Sequence, residues 1–103
     1  MKVINKINEL RNTISNGNVC LKFSAEWCGP CRILSNTIND IEEEFNMVNF
    51  IEVDVDDIDD DSILDEYKIK NIPVLYFIKD GLIFDKTIGS ISKNDLINKL
   101  NNF

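Results

Sequence analysis

Two cysteines lie between a short apolar run and the start of an amphipathic segment, and this arrangement restricts the fold more than any other feature. The run Val19–Phe23 is apolar except for Lys22, which is typical of a central strand buried on both faces. The sequence Trp27-Cys28-Gly29-Pro30-Cys31 then leads into residues 30–46, where apolar residues recur at helical spacing. A strand that leads directly into a helix is typical of α/β domains.

Apolar periodicity predicts the remaining elements, in the order β-α-β-α-β-α-β-β-α. The predicted elements are an edge strand at 2–4, a helix at 5–16 with Asn5 as N-cap, strands at 19–23 and 48–55, helices at 30–46 and 58–67, strands at 74–78 and 82–88 joined by a tight turn at Asp80-Gly81, and a last helix capped by Ser92. Helices alternate with strands early and a hairpin closes the sheet. We therefore expect one α/β domain over residues 1–103, with a central mixed sheet flanked by helices on both faces.

Charge and hydropathy argue against several classes of protein. The net charge is −7, with 18 acidic and 11 basic residues, and no basic run of a nucleic-acid-binding protein is visible. An acidic chain also disfavours anionic membranes, and no stretch has the length of a membrane span. Residues 1–6 lack the apolar run of a secretory signal, so we expect a cytoplasmic protein. In a reducing compartment a close cysteine pair is usually catalytic or metal-binding.

The position of the cysteines at a helix start favours thiol–disulfide chemistry. The thiolate is the nucleophile in this exchange, and the N–H groups of a helix N-terminus stabilise it. Cys28 lies just before the predicted helix and Cys31 in its first turn, so we expect Cys28 to be the exposed nucleophile and Cys31 the resolving thiol. Gly29 allows close backbone approach, and Pro30 stiffens the turn.

Metal binding and a structural disulfide are the competing interpretations. A closed zinc site takes four ligands, whereas this chain has three cysteines and no histidine. The acidic stretch 54–61 lacks the sixth-position glycine of an EF-hand calcium loop, and we interpret it as a solvated loop and helix start. We predict no metal site. Cys20, between Val19 and Leu21, is interpreted as a small core residue.

The chain resembles the thioredoxin family along essentially its whole length. The stretch from Ser24 to Arg32, including the W-C-G-P-C motif, matches the active-site sequence of that family. Asp80-Gly81 and Gly89 match its hairpin and a surface glycine. The resemblance implies a thioredoxin fold and a protein-disulfide reductase that binds no cofactor itself. Its implied partners are disulfide-containing client proteins and a thioredoxin reductase, which holds the NADPH.

The resemblance also implies a substrate surface around Cys28. Ile72-Pro73 matches the cis-proline loop that faces the dithiol and contacts the substrate backbone in the family. Trp27 is expected to shield the dithiol, although it could instead pack in the core. Val74 and Gly89 are expected to complete a modest apolar groove. The residues alone leave a trans proline at the start of a strand open as the alternative.

Lys22 departs from the family pattern, which usually has a buried aspartate six residues before the first cysteine. A buried lysine is disfavoured unless it is paired, and Glu52 on the neighbouring predicted strand is the natural partner. We therefore expect Lys22 and Glu52 to form a charge-swapped pair beneath the dithiol, where they tune its redox chemistry together with Gly29 and Pro30. The alternative is that Lys22 extends to solvent and does little.

The sequence thus predicts an electron carrier that cycles between the Cys28–Cys31 dithiol and its disulfide. One alternative is a dithiol poised as an oxidant or isomerase, which the Lys22 departure keeps open. Another is a non-catalytic binding subunit of a larger assembly, with the thioredoxin fold but a dispensable dithiol. Nothing in the sequence requires more than a monomer.

Overall fold

The secondary structure follows the predicted order of elements. A computed structural model describes all residues from 1 to 103. The elements are β1 (Lys2–Val3), α1 (Ile7–Ile14), β2 (Asn18–Ser24), α2 (Gly29–Ile41), a 3-10 turn (Glu42–Phe45), β3 (Val48–Asp54), α3 (Ser62–Glu66), β4 (Val74–Lys79), β5 (Leu82–Ile88) and α4 (Lys93–Leu100). Every predicted strand and helix is present, so the differences concern boundaries.

The five strands form one mixed sheet with the order β1-β3-β2-β4-β5. β1 and β2 both run parallel to β3, whereas β4 runs antiparallel to both β2 and β5. β2 is therefore paired on both of its edges and occupies the centre of the sheet. The expected mixed sheet is confirmed.

Helices cover both faces of this sheet, as predicted. On one face, Leu10 of α1 and Ile63 of α3 join a core cluster with alternate residues of β2, such as Leu21 and Phe23. On the other face the second cluster takes these residues from β2, α2 and α4: Cys20, Leu34, Ile38, Ile41, Leu96 and Leu100. Because side chains alternate along a strand, Lys22 points to the face of α2.

The acidic stretch changes the starts of two helices. Asn5 does not cap α1: the helix begins after Lys6, and the Asp59 carboxylate accepts the Ile7 N–H at 2.8 Å. α3 is shorter than the predicted 58–67, because Asp60 accepts the Ser62 N–H at 3.0 Å and holds the preceding residues in turns. Aspartates compete for backbone N–H groups in this way before helices.

The remaining turn and cap signals behave as expected. Asp80 and Gly81 both have positive φ, 49° and 83°, as a two-residue hairpin turn of the primed type requires. The Asp80 carboxylate also accepts the Gly17 N–H at 2.8 Å, which ties the hairpin to the turn before β2. Ser92 caps α4 by accepting the Asp95 N–H at 3.1 Å.

α2 is shorter than the predicted 30–46. It ends at Ile41, and the chain continues as the 3-10 turn Glu42–Phe45. At 13 residues it is the longest helix, and no helix in the structure has the length and hydropathy needed to cross a membrane.

The buried thiol of Cys20 should make the free energy of unfolding fall as the pH rises through the alkaline range. Burial raises the pKa of this thiol to about 12 from an ordinary 9.0, so the folded chain keeps a proton that the unfolded chain loses. Between those values, stability falls by about 1.4 kcal/mol for each pH unit. We expect Cys20→Ala to remove this part of the slope, measured by urea unfolding of the oxidised protein at several pH values above about 8.

Only the slopes are compared, because the cavity left by Cys20→Ala lowers stability at every pH by roughly 1–2 kcal/mol. Parallel curves for the variant and the unmodified protein would contradict the prediction.

Candidate active site

Cys28 and Cys31 form a disulfide at the N-terminus of α2. Their Cα atoms are 5.2 Å apart, a separation that a disulfide spans readily. Cys28 is the N-cap residue, and its Sγ accepts the N–H of Cys31 at 3.2 Å. Gly29 and Pro30 form the first two positions of the helix, where proline has no hydrogen bond to lose. The predicted placement of the pair at the helix start is confirmed.

The expectation that Cys28 is exposed is wrong for the oxidised form. Only 5% of Cys28 is accessible, against 1% of Cys31. The two sulfurs are bonded to each other, and Ala25, Val55 and Ile72 pack around them. Cys28 is still the more accessible of the pair.

The loop before β4 lies against Cys28. The Ile72–Pro73 peptide bond is cis, as the family resemblance implies, and the Ile72 carbonyl oxygen lies 4.0 Å from Cys28 Sγ. The Gly89 N–H donates to the Pro73 carbonyl oxygen at 2.8 Å, which holds the end of β5 beside this loop. The fold therefore brings Ile72, Pro73, Val74 and Gly89 close to the dithiol, although their contacts with substrate stay a prediction.

Trp27 lies on the surface next to the disulfide. Its exposed fraction is 69%, so the alternative of core packing is wrong. The indole N–H donates to the Asp56 carboxylate at 2.7 Å, which fixes the ring beside the dithiol. The sequence contained no signal for this partner, because Asp56 is one of several aspartates that follow β3.

Lys22 is buried directly beneath the dithiol. Its exposed fraction is 1%, so the alternative that it extends to solvent is wrong. The ammonium donates to the Cys31 carbonyl oxygen at 2.8 Å and to the hydroxyl of Ser35, and it lies 3.7 Å from a Glu52 carboxylate oxygen. Ser35 was not anticipated, although its position one helical turn after Cys31 contained the signal.

Glu52 completes the pair from the neighbouring strand. β2 and β3 run parallel in a register that sets Lys22 beside Glu52, and the Ser24 hydroxyl donates to the Glu52 carboxylate at 2.8 Å. Burial lowers the pKa of the Lys22 ammonium, and the Glu52 carboxylate offsets part of that decrease. The predicted pair is present, but each member makes its closest hydrogen bonds elsewhere. Lys22 donates to Cys31 and Ser35, and Glu52 accepts from Ser24.

A polar cavity of about 330 Å³ connects this pair with the resolving cysteine. The side chains around it include Lys22, Ser24, Cys31, Ser35 and Glu52. Water takes about 30 Å³ per molecule in the liquid, so the cavity has room for several waters with polar partners. The Cys31 and Glu52 side chains thus border one polar cavity.

Aspartate side chains of the acidic stretch accept hydrogen bonds from nearby backbone N–H groups. The Asp54 carboxylate accepts the Asp56 N–H at 2.9 Å, and Asp60 accepts the N–H and the hydroxyl of Ser62. No group of three or more histidine, cysteine, aspartate or glutamate side chains in the structure has a geometry that could hold a metal ion. The chemistry available at the site is that of a dithiol and a disulfide.

Comparison with known proteins identifies relatives over the whole chain. The family model described as Thioredoxin matches residues 2–102. The thioredoxin of Mycoplasmoides gallisepticum is 40% identical over 97 residues, which cover 93% of this chain and 95% of that protein. The thioredoxin of Chlamydia caviae is 34% identical over 101 residues, or 98% of this chain and 96% of the relative.

Solved structures show the same fold. Oxidised mitochondrial thioredoxin 3 of Saccharomyces cerevisiae superposes with a TM-score of 0.88 at 26% identity, covering 100% of this chain and 95% of that one. Plasmodium falciparum thioredoxin superposes with a TM-score of 0.90, also at 26% identity, covering 100% and 99% of the two chains.

Burial of the Lys22 ammonium carries a desolvation cost. We expect Lys22→Met to raise the free energy of unfolding by about 1–3 kcal/mol, since an apolar side chain of similar length avoids the cost of desolvating the ammonium. Glu52 keeps its hydrogen bond from Ser24 and partial solvent contact in this variant. The measurement is urea unfolding at pH 7, with Lys93→Met at an exposed position as the control.

The control should change stability by less than about 0.5 kcal/mol. A loss of stability in Lys22→Met would mean that the hydrogen bonds of the ammonium outweigh its desolvation.

Proposed function

This chain belongs to the thioredoxin family of thiol–disulfide oxidoreductases, and from that membership we infer that Cys28 is its nucleophile and Cys31 its resolving thiol. The observation that supports these roles is the disulfide at the start of α2, with Cys28 as N-cap and as the more accessible sulfur. A thiolate at the N-cap receives the N–H of Cys31 and the positive end of the helix dipole.

The proposed reaction has two exchange steps. The Cys28 thiolate attacks one sulfur of the client disulfide, which forms a mixed disulfide and releases the other client sulfur as a thiolate. Cys31 then loses its proton and attacks Cys28 Sγ, which breaks the mixed disulfide and releases the second client thiolate. Two electrons pass to the client, and the Cys28–Cys31 disulfide remains.

The proton of Cys31 needs an acceptor during the second step. Glu52 is the carboxylate nearest to the Lys22 ammonium, and it borders the same polar cavity as Cys31. We propose that water in this cavity carries the proton from Cys31 to Glu52, while Lys22 orients the Cys31 backbone through its carbonyl. Lys22 is thus a positioning residue, which also favours the thiolate state by its charge.

The family acts on disulfide-containing substrates and is served by reductases. We propose a thioredoxin reductase that holds NADPH as the electron donor of this chain, which itself would bind no cofactor. We further propose that the protein is a monomer in the cytoplasm. In that compartment a reductase would reduce its disulfide back to the dithiol. Trp27, Ile72, Pro73, Val74 and Gly89 would form the surface for an extended client segment.

Serine variants separate the two cysteine roles. We expect Cys28→Ser to abolish reduction of a protein disulfide such as that of insulin, because no nucleophile is left at the accessible position. Cys31→Ser should instead form the mixed disulfide and stop there, because nothing resolves it. Non-reducing electrophoresis and mass spectrometry would detect this species. Its accumulation in Cys28→Ser rather than Cys31→Ser would reverse the assigned roles.

The charges of Lys22 and Glu52 should move the reduction potential in opposite directions. A buried positive charge favours the thiolates of the reduced form over the neutral disulfide, so Lys22→Met should make the potential more negative by about 10–30 mV. Glu52→Gln removes a negative charge and should make it more positive by a similar amount. Equilibration with a dithiol buffer at pH 7 measures both shifts.

If the substitutions acted only by disturbing the structure, the two reduction potentials would not shift in opposite directions. The control Lys93→Met should leave the reduction potential unchanged. The unmodified protein should have a reduction potential of about −270 mV, the value of thioredoxin. A value of about −180 to −120 mV would instead indicate the oxidant or isomerase alternative.

A further inference from the structure

A lysine-lined pocket lies beside the cis-proline loop of this acidic protein. The cavity has a volume of about 460 Å³ and lies between the end of α3 and β5. Three lysines line it, Lys68, Lys70 and Lys86, together with the apolar side chains of Val74 and Ile88. Lys68 and Lys70 lie in the segment after α3 and Lys86 lies on β5, so the sequence shows no basic run at this place.

The three lysines lack acidic partners. All five salt bridges of the structure involve other cations. The Lys86 ammonium lies over the Tyr76 ring, 5.1 Å from its centroid, which positions the charge without neutralising it. Asp65 is the one carboxylate residue that lines the pocket. The pocket is therefore a local positive region on a chain whose net charge is −7.

The pocket adjoins the cis-proline loop that lies against Cys28. Val74 directly follows Pro73, and the carbonyl oxygen of Ile72 lies 4.0 Å from Cys28 Sγ. On the other wall, Ile88 pairs with Val74 across the sheet. An extended segment advances about 3.3 Å per residue, so a client segment that crosses the cis-proline loop would bring residues near its reacting cysteine to this pocket.

We propose that this pocket binds acidic side chains of the client segment that flanks the reacting disulfide, and so selects clients with acidic flanks. The inference rests on the proposed function, because it takes attack by Cys28 as the event that fixes the client segment. Carboxylates of the client supply the partners that the three lysines lack within the chain, while Val74 and Ile88 accept apolar neighbours. On the Trp27 side of the dithiol the exposed Asp56 carboxylate would repel an acidic flank, which favours its placement toward the pocket.

The test compares two peptides that differ only in charge. Each is a symmetric disulfide of a single-cysteine peptide, with glutamates or glutamines two to five residues from the cysteine on both sides. The reduced protein converts the peptide disulfide to two thiols and becomes oxidised, and chromatography of the released peptide gives the second-order rate. The unmodified protein should reduce the glutamate peptide about three- to tenfold faster than the glutamine peptide at low salt. This ratio should approach one in about 0.5 M salt.

The pocket variant replaces Lys68, Lys70 and Lys86 by glutamine, and we expect its preference for the glutamate peptide to disappear. Its rate with the glutamine peptide should stay within about twofold of that of the unmodified protein, because the dithiol is untouched.

The matched control places the same three changes at lysines outside the pocket that also form no salt bridge, Lys6, Lys79 and Lys93. Both triple variants change the net charge equally, so a general charge effect would lower the preference equally in both. Retention of the preference in the control supports the pocket. Equal preferences in the two triple variants, or none in the unmodified protein, would overturn the inference while leaving the proposed function intact. Failure to reduce either peptide would instead count against the proposed function.

Discussion

The pairing of β2 with a neighbour on each side is the constraint on which the site depends. Its parallel register with β3 sets Lys22 beside Glu52, and its antiparallel register with β4 brings the loop before β4 to the end where β2 stops. That end is also where the chain turns into α2 with Cys28 as its cap. A one-residue shift of β2 would send Lys22 to the opposite face and separate it from Cys31. The dithiol and its surroundings are thus consequences of the sheet register.

The charge beneath the dithiol is buried at a desolvation cost. A fully buried ammonium is costly to desolvate, and the lowered pKa of Lys22 reflects that cost. The fold surrounds it with the Cys31 carbonyl and the Ser35 hydroxyl as hydrogen-bond acceptors and with the Glu52 carboxylate as an ion-pair partner at 3.7 Å. Most of these groups come from the elements that also hold the disulfide. A change in the charge of this cluster therefore changes the electrostatic environment of Cys31 directly.

Charges of opposite sign flank the dithiol on the surface. Asp56 holds the indole of Trp27 on one side, and the lysine-lined pocket borders the cis-proline loop. A chain with a net charge of −7 would repel acidic clients without such a local positive region. On the proposal that the pocket binds acidic flanks, the distribution of charge, rather than its sum, determines which client segments the site accepts.

The sequence alone determined the order of strands and helices and the place of the dithiol at a helix start, and it indicated Glu52 as the partner of Lys22 if Lys22 were buried. These features follow from local periodicity, capping residues and the cost of burying an unpaired lysine, all of which are visible along the chain. Only the tertiary structure decided the low exposure of Cys28, the roles of Ser24, Ser35 and Asp56, and the lysine-lined pocket. The physical reason is that these depend on which distant segments the sheet brings together. The 3-10 turn after α2 and the late start of α3 also escaped prediction, because hydrogen bonds that compete locally at helix ends leave little trace in apolar periodicity.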